Sequence, residues 1–211
     1  MLTIKTVPTT AFMQNTRIIY DSATQSALIC DPGADSLRLG EYLQAHQLSL
    51  KAIILTHGHL DHVGGAASLA RRFNVPIIGP AVADEPLIAA LQQQAQAFGL
   101  PPAEGFSPQW VHDGDNLELL PQVNFSVITT PGHTPGGVSW YVSAAQIVLC
   151  GDTLFAGSVG RTDFPGGDFT ALEHSIRDKL YALPEETRVL CGHGPDTTIG
   201  QERLYNSFVR A

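Results

Sequence analysis

The sequence predicts an α+β fold of four layers, an αββα sandwich in which two β-sheets pack face to face and helices cover their outer sides. Three observations support this prediction. Short β-branched runs alternate with turns that draw on 20 glycines and 14 prolines, which is typical of many short strands. Strands followed by helices occur twice along the chain. The length of 211 residues fits a single domain, which we place at residues 1–211.

Each half of the chain is predicted to supply one sheet and its helices. In the first half, apolar and β-branched runs predict strands at 2–7, 16–20, 26–30, 50–55 and 75–78. Apolar spacing and helix-favouring composition predict helices at 36–46, 63–73 and 83–98. In the second half we expect strands at 117–120, 123–129, 138–142, 147–150 and 189–191, and helices at 169–182 and 201–209. Asp168 or Thr170 would cap the helix at 169–182.

The composition argues against several classes of protein. A net charge of −8 at pH 7 is unsuited to a nucleic-acid-binding surface, which needs clustered lysine and arginine. No apolar run is long enough to span a bilayer, and the N-terminus lacks the pattern of a secretory signal. The three cysteines are widely spaced, which disfavours a disulfide framework. We therefore expect a cytoplasmic protein with no membrane or nucleic-acid partner, and its oligomeric state stays open.

The strongest functional signal is the stretch IILTHGHLDH at 53–62, where an apolar strand runs into a loop. That loop holds four potential metal ligands, His57, His59, Asp61 and His62. Imidazole suits zinc, copper, iron and nickel, and a carboxylate neutralises charge. The alternation of the first two histidines lets both face one ion, while Asp61 and His62 can turn towards a second. Only eight histidines occur in the chain, so a chance cluster of three on a solvated turn is improbable.

Three later segments share the design of an apolar strand, a glycine-bearing loop and a ligand-type residue. They are VITTPGH ending at His133, IVLCGD ending at Asp152, and VLCGHGP containing His193. Sites are commonly built on loops that a rigid sheet holds, and glycine lets the backbone approach an ion closely. A single loop histidine is more often structural, but four segments of one design favour a shared metal centre.

These motifs resemble those of the metallo-β-lactamase superfamily, and the resemblance covers nearly the whole chain. The matching pieces are THGHLDH at 56–62, PGHTPG at 131–136, GDTLF at 151–155 and CGHGP at 191–195. The resemblance implies the αββα sandwich of that family and two metal ions. It implies that the first ion is held by His57, His59 and His133. It implies that the second is held by Asp61, His62 and His193, with Asp152 bridging both.

The resemblance also implies a hydrolase. Two dications about 3.5–4 Å apart lower the pKa of a shared water and polarise a substrate carbonyl, so that a nucleophile is available near neutral pH. Asp61 and Asp152 are the candidate catalytic carboxylates of such a site. Zinc is the favoured metal, and iron and manganese fit the same ligands. In the best-known subclass of true β-lactamases a cysteine takes the place of Asp152, so the resemblance disfavours antibiotic hydrolysis.

A narrower resemblance concerns the substrate. GSVGRTDFPGGD at 157–168, AFMQN at 11–15 and GQER at 200–203 resemble the single-domain bacterial type of glyoxalase II. That family hydrolyses S-acyl-glutathione thioesters such as S-lactoylglutathione, and the resemblance implies a small-molecule thioester substrate. Arg161 is then the candidate substrate-binding residue, as a clamp for a carboxylate. The competing interpretation of Arg161 is a structural ion pair with Asp163 or Asp168.

Two other functions on this fold are weighed against the hydrolase. GRTDF at 160–164 also resembles the persulfide dioxygenases, which use one iron and spare the second-site ligands. CGHGP at 191–195 resembles the hydrolases more, which favours a binuclear thioester hydrolase. A noncatalytic relative would be expected to have lost ligands, whereas all seven are present here. Asp31 is either a partner that orients the histidine loop or a turn residue that caps its own backbone.

Overall fold

A computed structural model of the protein describes residues 1–210. The first half contains β1 (Leu2–Thr9), β2 (Gln14–Asp21), β3 (Ser26–Cys30), α1 (Ser36–Ala45), β4 (Ser49–Ile54), α2 (Leu60–Val63), α3 (Ala66–Phe73), β5 (Ile77–Ile78), α4 (Glu85–Ala89) and α5 (Leu91–Phe98). The second half contains β6 (Asn116–Leu120), β7 (Val123–Thr129), β8 (Val138–Val142), β9 (Ile147–Gly151), β10 (Leu154–Phe155), β11 (Ser158–Val159), α6 (Phe169–His174), β12 (Arg188–Cys191), β13 (Thr197–Thr198) and α7 (Ile199–Tyr205).

The strands form two large sheets and a small hairpin. The first sheet has the order β1-β2-β3-β4-β5, and the second has the order β13-β12-β9-β8-β7-β6. In the first sheet β3, β4 and β5 are parallel. In the second sheet β9 and β12 are parallel, and β7 and β9 both run antiparallel to β8. The hairpin consists of β10 and β11.

The two large sheets share one apolar core and bury their outer faces under helices. Leu28 and Ile54 of the first sheet pack with Phe125 and Trp140 of the second. The indole Nε1 of Trp140 donates to the carbonyl of Leu55 at 2.9 Å, which ties the sheets together. A separate cluster joins the first sheet to α1, α3 and α5, and another joins the second sheet to α6 and α7. The predicted four-layered αββα sandwich is therefore confirmed.

The predicted helix at 63–73 has the wrong start, and its interior is interrupted. Helical structure begins at Leu60 and breaks at Gly64 and Gly65 before α3. Gly65 N donates to Pro32 O at 2.7 Å, and a Cβ at Gly64 would lie 2.5 Å from Gly33 O. The two glycines thus let the loop after β3 pack against this corner. Two predicted ligands consequently lie in a short helical turn.

Other boundaries differ where side chains or turns redirect the backbone. The predicted helix at 83–98 is divided at Ala90 into α4 and α5, and the strand at 75–78 covers only Ile77–Ile78. The helix at 169–182 is α-helical to His174 and continues as the π-helical turn Ser175–Leu180. Its cap is Asp168, whose Oδ1 accepts from Ala171 N at 3.0 Å.

The last helix begins earlier and ends earlier than the predicted 201–209. Thr198 caps α7 by accepting from Gln201 N at 3.2 Å. The helix stops at Tyr205 because Asn206 has an extended backbone, and its Oδ1 accepts from Val209 N at 3.1 Å. None of the helices within residues 1–210 combines the length and apolar character needed to cross a bilayer.

Candidate metal centre

The four predicted ligand segments converge at one edge of the sandwich. They follow β4 in the first sheet and β7, β9 and β12 in the second, and the latter three strands point in the same direction. Val138 N donates to Thr56 O at 2.8 Å, which joins the loop after β4 to the second sheet. All seven predicted ligands therefore lie close together, although they come from distant parts of the chain.

The first predicted triad forms as expected from the sequence. The ligand-type nitrogens of His57, His59 and His133 lie within 4.8 Å of one another. His59 Nδ1 and His133 Nε2 face each other at 2.9 Å. The three imidazoles thus present nitrogen atoms to one small volume, which suits a first-row divalent ion.

The second predicted triad lies beside the first. Asp61, His62 and His193 also bring their ligand-type atoms within 4.8 Å of one another. His193 Nε2 lies 3.3 Å from Asp61 Oδ2 and 3.3 Å from His62 Nε2. This mixed nitrogen and oxygen set is again typical of a divalent metal ligand set.

The carboxylate of Asp152 lies between the two triads. Its Oδ2 is 3.6 Å from His133 Nε2 of the first triad and 3.5 Å from His193 Nε2 of the second. Its Oδ1 is 3.3 Å from His62 Nε2. Asp152 thus places carboxylate oxygens near histidines of both triads, the position that a bridging carboxylate requires.

Hydrogen bonds at the outer ring nitrogens orient three of the histidines. His133 Nδ1 lies 2.7 Å from Arg161 O, and His193 Nδ1 lies 3.1 Å from Phe12 O. His62 Nδ1 lies 2.9 Å from Asp31 Oδ2. Because carbonyl and carboxylate oxygens only accept, each ring donates from Nδ1 and directs its Nε2 lone pair into the site.

Asp31 orients the histidine loop, which is one of the two interpretations left open by the sequence. Its Oδ1 accepts from Thr56 N at 2.8 Å, and its Oδ2 accepts from Thr56 Oγ1 at 2.6 Å. It also lies close to His57 and His62 in a third cluster of potential ligands. Both of its oxygens are already engaged with donors, so its role is to position His62.

Two buried atoms of the centre lack hydrogen-bond partners among residues 1–210. They are His57 Nε2 and Asp152 Oδ1. Burying acceptor atoms without donors is costly, and when the histidines are neutral the neighbouring ring nitrogens and carboxylate oxygens are further acceptors. A cation removes this conflict by accepting several lone pairs at once. The donor set therefore fits divalent metal ions.

The protonation of the first triad suits ligation. Burial lowers the pKa of His57 well below its ordinary value of 6.5. Burial, followed by the nearby charge of His133, lowers the pKa of His59 to about 4. Both rings are therefore neutral at neutral pH, which is the form that binds a metal.

The pKa values of the second triad shift the other way because the triad contains Asp61 and lies beside Asp152. Burial opposes protonation of His62, but the charges of Asp152 and Asp61 raise the pKa of His62 above its ordinary value. The pKa of His193 is raised as well, against burial, by its hydrogen bond with Asp61. Burial also opposes ionisation of Asp152, yet His62 holds the pKa of Asp152 well below its usual range. In the absence of cations, protons on the histidines balance the charge of the carboxylates.

Asp84 joins two ligand loops, and sequence reasoning missed it. Its side chain is fully buried. Its Oδ2 accepts from Gly58 N at 2.8 Å and from Thr134 Oγ1 at 2.9 Å, and its Oδ1 accepts from Gly136 N at 2.6 Å. These contacts connect the loop of His57 to the loop that follows β7. An acidic residue at the start of a predicted helix gave no signal of this position.

Asn15 anchors the loop of His193 and was likewise missed as a functional contact. Its Nδ2 donates to Cys191 O at 3.1 Å and to Gly194 O at 2.9 Å. Its backbone nitrogen donates to Gly192 O at 2.7 Å. The AFMQN segment at 11–15 carries a family resemblance, but no local pattern relates it to a loop so distant in sequence.

Glycine is required where the backbone passes the centre of the site. A Cβ at Gly192 would lie 2.1 Å from Asp152 Oδ1 and 2.8 Å from His62 Cε1. Gly151, before Asp152, has a φ of +50°, and its Cβ would meet Thr56 Oγ1 at 2.3 Å. The loops can approach the ligands this closely only without side chains at these two positions.

The metal centre lies at the floor of an open cavity of about 610 Å³. Five of the seven predicted ligands line it, namely His59, Asp61, His133, Asp152 and His193. The remaining lining is mostly apolar and is formed by Phe12, Leu60, Leu87, Gln93, Gln94, Ala97, Phe98, Leu100, Arg161, Phe164 and Pro165. A second cavity of about 630 Å³ also borders on Leu60 and Leu100, but none of the seven predicted ligands lines it.

Arg161, the predicted substrate-binding residue, lines this cavity and is engaged in an ion pair. Its Nε and Nη2 donate to the two carboxylate oxygens of Asp163 at 2.7 and 2.6 Å. Its guanidinium also lies 4.0 Å from the ring centroid of Phe164. Asp163, not Asp168, is therefore the ion-pair partner, and any substrate carboxylate must compete with it.

Comparisons with known proteins agree with this geometry. The family model of the metallo-beta-lactamase superfamily matches residues 9–193. The hydroxyacylglutathione hydrolase GloC of Haemophilus influenzae is 42% identical over 211 residues, which cover 100% of this chain and 99% of that protein.

Two solved structures are similar over nearly their whole length. The BLEG-1 B3 metallo-beta-lactamase has a TM-score of 0.91 and 36% identity, with 99% of this chain and 100% of that chain covered. TTHA1623 in a di-iron-bound form has a TM-score of 0.88 and 35% identity, with 97% of this chain and 100% of that chain covered.

The chain belongs to the metallo-β-lactamase superfamily. It is a metal-dependent hydrolase of that family, and the predicted family and reaction class are confirmed. The metal and the substrate are not fixed by family membership.

Asp84→Asn should weaken metal binding. The amide keeps the size of the side chain but replaces one acceptor oxygen with a donor, which then faces donors of the two ligand loops. We expect metal affinity to fall by roughly 10–100-fold, the range for groups that orient ligands. Dialysis against a graded chelator series, followed by metal analysis, measures this effect. Asp178→Asn, on an exposed side chain, is the matched control, and equal affinity in both variants would contradict the role of Asp84.

Metal affinity at the second triad should increase with pH. The raised pKa values of His62 and His193 mean that both rings hold protons above their ordinary value of 6.5, and a cation must displace them. Affinity should rise by up to about tenfold per pH unit for each displaced proton, until the raised pKa is passed. Chelator competition between about pH 6 and pH 8 measures it. An affinity independent of pH would contradict this assignment.

Proposed function

We propose that the protein is a binuclear metal-dependent thioester hydrolase that acts on S-lactoylglutathione or a related S-acyl-glutathione. The observation that carries this proposal is the pair of triads joined by Asp152 at the floor of an open cavity. His57, His59 and His133 would hold the first ion. Asp61, His62 and His193 would hold the second, and Asp152 would contact both.

The carboxylates would orient the attacking water. Asp61 and Asp152 both line the cavity, where their oxygens can accept hydrogen bonds from a water molecule. When bound, two divalent ions supply Lewis acidity towards a carbonyl and increase the acidity of a shared water. The water gives up a proton to solvent and its oxygen attacks the thioester carbonyl carbon. The C–S bond then breaks, so that the acyl half is released as a carboxylic acid and the sulfur leaves as a thiolate.

The lining of the cavity supports a thioester over an ester or an amide. Among residues 1–210, the ionisable groups that line it are predicted metal ligands or Arg161, which is paired with Asp163. An amine or alkoxide leaving group needs a proton from a general acid, and no separate group in this lining can donate one. A thiolate leaves without such help. The site therefore suits thioester hydrolysis.

The similarity to a hydroxyacylglutathione hydrolase over the full length supports glutathione as the thiol half. In this proposal Arg161 binds a carboxylate at the cavity rim after exchange with Asp163. Zinc is the proposed metal, with iron or manganese as alternatives, because imidazole and carboxylate suit all three. The similar protein TTHA1623 was solved in a di-iron-bound form, which supports iron as one of the alternative metals.

A mononuclear iron persulfide dioxygenase is the second candidate, since its resemblance to GRTDF concerns the same loop. Such an enzyme would need only the first triad. Here the second triad contains a fully buried histidine, His62, that Asp31 orients towards the centre. That arrangement favours two ions and a hydrolase.

We also propose that residues 1–211 form one domain, because both halves of the chain contribute ligands to one centre. A reducing compartment, the cytoplasm, is proposed from the three cysteines, which are free and buried in the described chain. Their burial agrees with the interpretation of Cys30, Cys150 and Cys191 as core residues. We propose a small-molecule thioester as the partner of this protein, and we propose no nucleic-acid or membrane partner.

The proposed reaction is tested by three assays on one sample of known metal content. They are hydrolysis of S-lactoylglutathione, oxygen uptake with glutathione persulfide, and hydrolysis of a β-lactam. His57→Ala and Asp152→Ala should abolish thioester turnover and reduce metal content, whereas His112→Ala, on an exposed ring, should change neither. Oxygen uptake without thioester turnover would make the protein a dioxygenase. Full activity of either ligand variant with metal still bound would overturn the site.

Substitutions at the ion pair test the proposed role of Arg161. Arg161→Ala should raise KM for a glutathione thioester more than for a small neutral thioester, because a carboxylate contact is lost. Asp163→Asn frees the guanidinium and should lower KM for the glutathione thioester by a few-fold, on the order of a surface ion pair. Steady-state kinetics with both substrates measure the difference. Equal changes for the two substrates would assign Arg161 a structural role.

A further inference from the structure

Three phenylalanines from distant parts of the chain meet at the mouth of the cavity. Phe12 lies in the turn between β1 and β2, Phe98 ends α5, and Phe164 lies in the loop before α6. The ring centroids of Phe12 and Phe98 are 6.0 Å apart, and those of Phe98 and Phe164 are 5.9 Å apart. Both pairs are edge to face, a favourable geometry for aromatic rings. We call these three residues the phenylalanine cluster.

The cluster leaves apolar surface uncovered. Phe12 is 45% exposed and Phe98 is 46% exposed. Single exposed apolar residues are ordinary, but a contiguous apolar patch that rims a cavity commonly marks a ligand-binding surface. Here the patch opens directly onto the metal centre, since all three rings line the same cavity as the ligands.

The backbone and rings of the cluster contact both triads. Phe12 O accepts from His193 Nδ1 at 3.1 Å, next to the second triad. The ring of Phe164 lies 5.8 Å from the ring of His59, centroid to centroid, in the first triad. A thioester whose carbonyl reaches the centre would therefore place an adjoining group against these rings.

Few charged or polar groups of the cavity lining are free to bind a highly charged ligand. Within the described lining, Arg161 is the only cationic side chain outside the predicted ligands, and Asp163 already pairs with it. Gln94 is also engaged, since its Oε1 accepts from Leu60 N at 2.9 Å and its Nε2 donates to Leu87 O at 2.8 Å. Glutathione carries two carboxylates and one ammonium. In this mostly apolar lining, apolar contacts would supply much of the binding free energy.

We propose that the phenylalanine cluster binds an apolar group of the thioester, preferably an aromatic one, and that this group determines which thioesters are hydrolysed. The proposal rests on the proposed thioesterase function and narrows its substrate class. Within that class, it predicts a higher kcat/KM for thioesters with an apolar group than for those with only a small polar acyl group, S-lactoylglutathione included. The apolar group belongs to either the acyl or the thiol half.

Two series of neutral thioesters test the proposal and distinguish the two halves. The acyl series compares acetyl with phenylacetyl thioesters of N-acetylcysteamine. The thiol series compares acetyl thioesters of ethanethiol and benzyl mercaptan. In at least one series the aromatic member should have about tenfold or higher kcat/KM, as burial of a phenyl group allows. The series that shows the preference identifies the half that the cluster binds.

Variants of Phe98 test whether the phenylalanine cluster causes the preference for aromatic thioesters. Phe98→Ala should reduce the ratio of kcat/KM for the aromatic over the small thioester by about tenfold, and Phe98→Leu should restore part of it. Phe208→Ala removes a ring of similar exposure, 55%, that does not line the cavity, and its ratio should equal that of the wild type. Equal kcat/KM within both series, or the same ratio in Phe98→Ala and Phe208→Ala, would overturn the proposal.

A binding measurement separates this inference from the proposed function. Calorimetry with the thioether S-benzyl-N-acetylcysteamine needs no turnover. If no thioester is hydrolysed, the proposed function fails, and thioether binding that Phe98→Ala weakens about tenfold would still support an aromatic site. Absence of thioether binding to the wild type would overturn the site whatever the hydrolysis result.

Discussion

The structure depends on the convergence of lone pairs at the edge where the two sheets meet. His59 Nδ1 and His133 Nε2 face each other at 2.9 Å, and His62 Nε2 and His193 Nε2 face each other at 3.3 Å. The carboxylate of Asp152 lies between these pairs. Buried acceptors without donors are unfavourable, so the arrangement is consistent only with bound cations or added protons. A rigid core and oriented hydrogen bonds are needed to hold it.

The layers, and the loops that bring the ligand-type side chains together, could be predicted from sequence because their signals are local. Each ligand follows an apolar strand within a few residues, and strand periodicity identifies the two sheets. Asp84 and Asn15 could not be predicted in this way. Asp84 reaches Gly136 across 52 positions of the chain, and Asn15 reaches Gly194 across 179. The predicted end of the last helix was also wrong, because a side-chain contact ends it. The side chain of Asn206 accepts hydrogen bonds from backbone nitrogens beyond the helix.

The cavity gives the metal centre its chemical preference. Its walls are apolar, and its described lining contains no general acid separate from the predicted ligands. In the proposed reaction, such a site suits a leaving group that is stable as an anion, as a thiolate is. The ion pair with Asp163 neutralises Arg161, the cationic side chain of the described lining outside the predicted ligands. The proposed apolar recognition near the carbonyl and the proposed limited charge recognition at the rim rest on the same set of residues.

The central claim is a centre of two metal ions that share Asp152. The most direct test is a crystal structure of metal-loaded protein with anomalous scattering recorded at the metal absorption edge. The account predicts two anomalous peaks, one bonded to His57, His59 and His133 and one bonded to Asp61, His62 and His193, with Asp152 in contact with both. A single peak at the first triad, with His62 and His193 still paired to carboxylates under saturating metal, would contradict it.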